Sequence, residues 1–120
     1  DVLTHAVMDA LIGALALGDI GKFFPDNDPK FKNADSILLL REILSVVSEK
    51  GYNIVNIDAT VVAQKPKLRD YIDEIRKNFA KELNIPLDCV SVKATTEEKL
   101  GFTGNMEGMK SYCVVLLSKK

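Results

Sequence analysis

The single histidine of the chain stands between two carboxylates at regular spacing. Asp1, His5 and Asp9 follow one another every four residues, so on a helix they share one face. A neighbouring carboxylate can hold an imidazole in the tautomer that metal binding requires. A lone histidine is more often a structural or surface residue, however, and a zinc site needs at least three protein ligands. The spacing therefore leaves both a structural role and zinc binding open.

A run of two threonines and two glutamates, Thr95 to Glu98, follows a β-like segment and precedes a glycine-rich stretch. In one interpretation, Thr95 and Glu98 form a capping box at the start of a helix. In the other, hydroxyl and amide groups bind a phosphate while a carboxylate holds Mg²⁺ or Mn²⁺. The spacing by itself favours the capping box.

Two polar loops offer further candidate sites. The segment Ala63–Arg69, AQKPKLR, leaves a strand through a proline turn. It either only connects two elements or hydrogen-bonds a flat polar ring through its backbone groups. The acidic loop with Asp19, Asp26 and Asp28 could bind a metal or sugar hydroxyls, although solvated carboxylates are the commoner explanation. Phe102, further along the chain, is equally well a core residue.

The elements that would position these residues follow from hydrophobic periodicity and turn residues. Apolar residues at helical spacing predict helices that end near Gly18, run from Asp35 or Ser36 to about Lys50, and run from about Leu68 to Leu83. Runs of β-branched residues predict strands over Ile54–Ala63, Val90–Ala94 and Tyr112–Ser118. A long loop is predicted from Gly18 to Asn33. The order indicates an α+β fold in which one helical layer packs on a small mixed β-sheet.

Composition excludes several classes of function. The 120 residues are 47% hydrophobic and 28% charged, as in one soluble globular domain. A net charge of −1 provides no broad cationic field, so we expect no nucleic acid partner. The apolar run Ala6–Leu17 is too short to span a bilayer, so we expect no membrane partner. Buried free thiols are favoured for Cys89 and Cys113, with a disulfide as the minor alternative, which indicates a reducing compartment.

Three segments carry a resemblance: HAVMDALIGALALGDIGKFFPDNDPKFKNADS, DATVVAQKPKL and VKATTEEKLGFTGNMEG. Together they resemble the 2-C-methyl-D-erythritol 2,4-cyclodiphosphate synthase family, almost from end to end and in order. The resemblance implies a homotrimer of α+β subunits with active sites between neighbours. It implies a lyase of the non-mevalonate isoprenoid pathway, whose substrate is 4-diphosphocytidyl-2-C-methyl-D-erythritol 2-phosphate and which releases CMP. Zinc and a second ion, magnesium or manganese, are the implied cofactors.

The same resemblance implies roles for individual residues. Thr96 corresponds to the transition-state stabiliser, His5 to a zinc ligand, and Glu98 to the carboxylate that holds magnesium or manganese. The remaining site positions correspond to substrate-binding residues of the family: Asp19, Ile20, Gly21, Phe24, Pro25, Asp26, Asn27, Asp28, Ala63, Gln64, Lys65, Pro66, Lys67, Leu68, Arg69, Thr95, Glu97 and Phe102. Asn105 stands where many members have a phosphate-binding arginine, so that role is not carried over.

The resemblance also implies the extent of the domain and the cellular location of the protein. It treats residues 1–120 as a single synthase domain that lacks the family's N-terminal segment, where an Asp-x-His motif supplies the other two zinc ligands. The family works in the bacterial cytoplasm and in plastid-type organelles, which are the expected locations. A domain that binds cytidine nucleotides without turnover is the alternative function, and a trimerisation domain without ligand is another.

Overall fold

The computed structural model describes residues 2–25, 35–63, 69–96 and 109–120. Four helices lie in these ranges: α1 (Val2–Ala14), α2 (Ile20–Phe23), α3 (Ser36–Glu49) and α4 (Ile72–Leu83). Three strands accompany them: β1 (Tyr52–Val62), β2 (Val90–Thr95) and β3 (Lys110–Lys119). Short 3₁₀ turns, Arg69–Tyr71 and Leu87–Cys89, lead into α4 and β2.

The three strands form one mixed sheet in the order β2-β1-β3. β1 pairs in parallel with β2 and antiparallel with β3. Two parallel neighbouring strands need a crossover connection, and α4 provides it between β1 and β2. The register of β1 against β3 shifts between Ile54 and Asn56, which makes Val55 the extra residue of a β-bulge. The predicted α+β class with a small mixed sheet is confirmed.

The helices cover one face of the sheet and bury its apolar side chains. The core is continuous from helix to strand, because α1 packs on β3 and β1 and α4 packs on β2. Its most buried members are large aliphatic side chains: Met8, Leu11, Ile12, Leu40, Ile43, Ile57, Val7 and Val90. The opposite face of the sheet, which carries alternate residues of each strand, is not covered by these helices.

The end of α1 differs from the sequence prediction. The helix ends at Ala14 rather than near Gly18, because Ala16 adopts the left-handed conformation with φ 56°. The amide of Leu17 donates to the carbonyl of Ile12, and that of Ala16 to the carbonyl of Gly13, both over 3.0 Å. This pair of hydrogen bonds is a Schellman motif, which satisfies carbonyls at the helix end.

The predicted loop from Gly18 to Asn33 contains a short helix. Asp19 caps α2 through its side-chain oxygen, which accepts a hydrogen bond from the amide of Lys22 over 3.2 Å. Four residues are too few to create a periodic apolar pattern, so hydrophobic periodicity could not predict this turn of helix. Residues 26–34 of the predicted loop lie outside the described residues.

The ends of α3 agree with the prediction from capping residues. The Asp35 carboxylate accepts from the amide of Ile37 over 2.9 Å, and Gly51 follows the helix with φ 89°. α4 begins at Ile72 and ends at Leu83, and the next residue, Asn84, is left-handed with φ 56°. The predicted start of this helix was about four residues earlier, where the chain instead forms a 3₁₀ turn.

Two arginines tie the helical layer together. Arg41 on α3 donates to the Glu82 carboxylate on α4 through two nitrogens, over 2.8 and 2.9 Å. Arg76 on α4 donates to the carbonyls of Val90 and Leu87 over 2.7 and 3.0 Å, which anchors the start of β2.

Among the helices described, none has the length and apolar character needed to cross a membrane.

Candidate functional site

The parallel strands β1 and β2 end side by side. Val62 is the register partner of Thr95, and the amide of Ala63 donates to the carbonyl of Thr95 over 3.1 Å. The turn that starts at Ala63 and the threonine run therefore both begin at the carboxyl ends of these two strands, a region that we call the Thr95 edge. Ligands of open α/β sheets bind at the carboxyl ends of parallel strands, so this edge is the candidate site.

The two threonines of this edge are accessible, whereas Ala63 is buried. Thr95 is the last residue of β2 and has its side chain on the open face, and Thr96 follows directly after the strand. Glu97 and Glu98 lie outside the described residues, so both the capping-box and the phosphate-binding interpretations of this run stay predictions. An exposed hydroxyl at the end of a strand can donate to an anionic oxygen.

His5 lies on the exposed side of α1 together with Asp9. The predicted common face of these two residues is therefore the helix side that points away from the core, while Asp1 lies outside the described residues. Within the described ranges no three histidines, cysteines or carboxylates are close enough to hold a metal ion. His5 can supply one imidazole, and a zinc site would need further ligands from elsewhere.

The two ends of α1 lie at opposite edges of the sheet. Val2 and Leu3, at its start, line a cavity of about 190 Å³ with Val61, Ala94 and Ser111 near the ends of β1 and β2. Most of its lining is apolar, and its two polar residues are Lys93 and Ser111. The Ser111 hydroxyl oxygen is buried without a hydrogen-bond partner among the described residues. The start of α1 therefore lies next to the Thr95 edge.

The other end of α1 packs where β1 begins. Leu15 and Leu17 line a concave surface with Tyr52 and Leu117, the start of β1 and the end of β3. β1 is 11 residues long, so its two ends are roughly 30 Å apart. Asp19 follows Leu17 by two residues, a reach of at most about 7 Å. The Asp19 segment and the Thr95 edge of one chain thus lie on opposite sides of the molecule.

The segment from Asp19 to Pro25 combines a polar start with an apolar end. Asp19 and Gly21 are exposed, and Ile20 packs partly against the core. Phe24 is only 8% exposed and belongs to the hydrophobic core, where its ring centroid lies 6.4 Å from that of Phe23. The contacts of Phe24 described here are therefore structural, and its substrate contact stays a prediction.

Several predicted site residues have no described position. Arg69 is exposed in the 3₁₀ turn before α4. Eleven further predicted site residues lie outside the described residues: Asp26, Asn27, Asp28, Gln64, Lys65, Pro66, Lys67, Leu68, Glu97, Glu98 and Phe102. Their roles rest on the resemblance alone.

Next to the Thr95 edge lies an ion pair that no motif in the sequence predicts. The Nζ of Lys93 lies 3.0 Å from the Asp58 carboxylate on the neighbouring strand. Hydrogen bonds from Lys93 and Ser91 hold the pKa of Asp58 below its ordinary value. The signal in the sequence is the alternation of β2, which places Ser91, Lys93 and Thr95 on one face.

Cys89 and Cys113 are both free thiols, and both are half-buried rather than buried as predicted. Cys113 faces the core side of β3, next to Ala59 of β1. Burial, with a smaller contribution from the negative charge of Asp58, raises the pKa of Cys113 to about 11. A thiol with this pKa is almost entirely protonated at neutral pH and is a poor nucleophile.

The model of the YgbB family matches residues 1–118. The chain belongs to the YgbB family. A 2-C-methyl-D-erythritol 2,4-cyclodiphosphate synthase of Fusobacterium nucleatum subsp. nucleatum is 62% identical to this YgbB chain over 120 residues, which cover 100% of the chain and 75% of that protein. The corresponding synthase of Geobacter metallireducens is 55% identical over 120 residues, or 100% of the chain and 76% of that protein.

Solved structures of similar proteins have the same fold. The bifunctional IspDF of Campylobacter jejuni matches this YgbB chain with a TM-score of 0.95 and 47% identity, over 100% of the chain and 32% of that protein. IspF of Plasmodium falciparum, solved as a CDP complex, matches with a TM-score of 0.88 and 36% identity, over 100% of the chain and 72% of that protein. The family expected from the three sequence segments is confirmed.

Proposed function

We propose that this chain is a 2-C-methyl-D-erythritol 2,4-cyclodiphosphate synthase, a lyase of isoprenoid precursor synthesis. Its substrate would be 4-diphosphocytidyl-2-C-methyl-D-erythritol 2-phosphate, and its products the 2,4-cyclodiphosphate and CMP. The observation that carries the proposal is the 62% identity to a synthase of that name over the whole of this chain. The CDP complex of a protein with the same fold supports a cytidine nucleotide as part of the substrate.

The residue types at the candidate site suit this reaction. The 2-phosphate of the substrate is already an anion, so no serine, cysteine or base has to be activated. One of its oxygens bonds to the phosphorus of the diphosphate nearer the erythritol. The bond from that phosphorus to the oxygen of CMP breaks, and CMP leaves with the electron pair. Because both reacting groups belong to one molecule, holding it in a folded conformation removes much of the barrier.

Repulsion between the two phosphate groups is the main obstacle. Two like charges about 4 Å apart repel by roughly 4 kcal/mol at an effective dielectric constant near 20. The Thr96 hydroxyl, which follows β2 at the candidate edge, would donate a hydrogen bond to a phosphoryl oxygen as charge moves onto it. Amides of the Thr95–Glu98 run would bind the diphosphate, and the backbone of Ala63–Arg69 would bind the cytosine ring.

Two metal sites belong to the proposal. His5 is accessible on α1 and carries the imidazole that a zinc site would use, together with ligands beyond the described residues. Glu98 would hold magnesium or manganese close to the diphosphate. Divalent cations bound there would neutralise phosphate charge and align the reacting groups.

We also propose that residues 1–120 act as one synthase domain in a homotrimer, with each site shared by two copies. The support is the placement of the predicted site residues. Asp19 and Gly21 lie at one edge of the molecule, and Thr95 and Thr96 lie at the other, beyond the reach of one substrate within a single chain. A neighbouring copy would bring its Thr95 edge to the Asp19 segment.

The direct test is product formation by the full-length protein with zinc and magnesium. Phosphorus NMR of the reaction should show the cyclic diphosphate and CMP in equal amounts. Binding of CDP is measured in parallel by calorimetry. If CDP binds and the substrate is never cyclised, the non-catalytic nucleotide-binding domain is the correct description. If neither CDP nor substrate binds, the ligand-free trimerisation domain replaces both.

A further inference from the structure

The uncovered face of the sheet carries a row of exposed apolar side chains. On β3, Tyr112, Val114 and Leu116 are 56%, 71% and 55% exposed. They alternate with residues that point to the core, so they form one continuous strip on the face opposite the helices. Contiguous apolar surface of this kind marks an interaction site. In the homotrimer proposed above, a second copy of the chain is its occupant.

The Asp58–Lys93 ion pair lies on the same face of the sheet, directly beside this strip. Asp58 is the direct register partner of Val114 on β3 and of Ser91 on β2. Directly opposite side chains in a sheet have Cβ atoms about 4.5–5.5 Å apart. β1 is the central strand, so a surface that covers Val114 also lies against Asp58. In the isolated chain the Lys93 side chain is 57% exposed and the Asp58 side chain is 52% exposed.

We propose that Asp58 and Lys93 form the polar centre of the contact between copies and determine how those copies dock. The inference rests on the proposed homotrimer and assigns a role to two residues outside the predicted site. The Asp58 carboxylate receives its hydrogen bonds from Lys93 and Ser91 of its own chain. A neighbouring copy therefore needs to supply no charge there, and it can pack apolar groups on the pair.

The energetics of such a pair favour specificity over affinity. Removing two charges from water costs nearly as much as their attraction returns, so the intact pair adds little to binding. Removing one partner leaves an unpaired charge in the contact, which costs far more. Lys93 is two residues from Thr95 on the same face of β2, so a shift in docking moves the Thr95 edge relative to the next copy.

The test is a double-mutant cycle on assembly of the full-length protein. Asp58→Asn and Lys93→Met each remove one charge while keeping the side-chain shape, and the double variant removes both. Each single variant should raise the concentration at which the trimer half-dissociates by at least about 30-fold, and the double variant should recover most of the loss. Sedimentation across a dilution series measures this concentration, and CMP release should fall with the trimer fraction.

A second ion pair, which lies outside the open face, provides the control. Arg41 and Glu82 are 2.8 Å apart but lie in the helical layer, away from the open face. Glu82→Gln should change the dissociation concentration by less than about 3-fold. Circular dichroism confirms that every variant subunit is folded.

Three results would overturn the inference. Single variants that assemble like the unmodified protein would show that the pair is an ordinary solvated surface pair, while the trimer and the proposed function would stand. Additive losses in the double variant would remove the coupling between the two charges. An unmodified protein that is monomeric throughout the dilution series would overturn this inference and the shared site together.

Discussion

The amide of Ala63 donates a hydrogen bond to the carbonyl of Thr95 over 3.1 Å. This bond extends the parallel pairing of β1 and β2 by one residue beyond the end of β1. It fixes the first residue of the predicted cytosine-binding turn beside the first residue of the predicted phosphate-binding run. The two predicted binding segments therefore begin next to each other on the same chain.

Thr96 should affect turnover more than binding. We expect Thr96→Val to lower kcat by about 10²- to 10³-fold, because it removes a donor to charge that develops only in the transition state. CDP affinity should change by less than about 5-fold, since the ground state gains little from that hydrogen bond. Thr96→Ser, which keeps the hydroxyl, is the control. Equal losses in kcat and CDP affinity would assign Thr96 to ground-state binding.

His5 should determine the zinc content of the full-length protein. Because its side chain is exposed on α1, His5→Ala removes an imidazole without opening a cavity in the core. We expect bound zinc per chain to fall well below that of the unmodified protein. Glu42→Gln, which changes an exposed carboxylate on α3, is the control. Unchanged zinc in His5→Ala, measured by elemental analysis, would remove this residue from the ligand set.

A glycine at the left-handed position after α1 should stabilise the folded chain. Ala16 has φ 56°, a conformation that costs an alanine about 1 kcal/mol and a glycine almost nothing. Ala16→Gly should therefore raise the free energy of unfolding by about 0.5–1 kcal/mol. Ala14→Gly, two residues earlier and still helical, should lower it by a similar amount. Urea unfolding measures both, and destabilisation by Ala16→Gly would contradict the Schellman motif.

Cys113 should make stability fall in mildly alkaline solution. Burial raises its pKa to about 11, against 9.0 for an ordinary cysteine. Between these values the unfolded chain releases the thiol proton while the folded chain retains it, so stability is lost as the pH rises through this window. Between pH 8 and pH 10.5 the free energy of unfolding should fall by about 1 kcal/mol less in Cys113→Ala than in the unmodified protein, after allowance for the partial exposure of the thiol.

Urea unfolding at the two pH values measures this difference, and other titrating groups cancel because both proteins contain them. Cys89→Ala should leave the pH dependence as it is in the unmodified protein. An identical fall in the Cys113→Ala variant would show that its thiol ionises normally in the folded state.

Local signals predicted the elements that depend on local chemistry. α3 begins and ends as predicted because the Asp35 cap and the left-handed Gly51 are visible in the sequence. α1 ended earlier than expected because an alanine, Ala16, occupies the left-handed position that glycine usually marks. α2 was missed because a four-residue helix is held by the Asp19 cap and not by periodicity.

The candidate site depended less on local chemistry and more on topology. The pairing of Ala63 with Thr95 arises from the crossover through α4, which no spacing within either segment reveals. The distance between Asp19 and Thr95 likewise follows from the direction of α1 across the sheet. Residue chemistry alone left zinc binding by His5 and phosphate binding at Thr95–Glu98 open, and the resemblance supplied those roles.

Complementation between two defective chains tests the shared site most directly. Asp19→Ala impairs the segment at one edge, and Thr96→Val impairs the other, so neither homotrimer should turn over substrate well. When the two chains are unfolded together and refolded at equal amounts, about a quarter of the contacts in a closed ring should join two intact halves. CMP release should then recover to about a quarter of the rate of the unmodified protein. As a control, a chain that carries both substitutions is mixed with either single variant, and this mixture should show no recovery of CMP release. A mixture of the two single variants that stays as inactive as its components would show that each site lies within one chain.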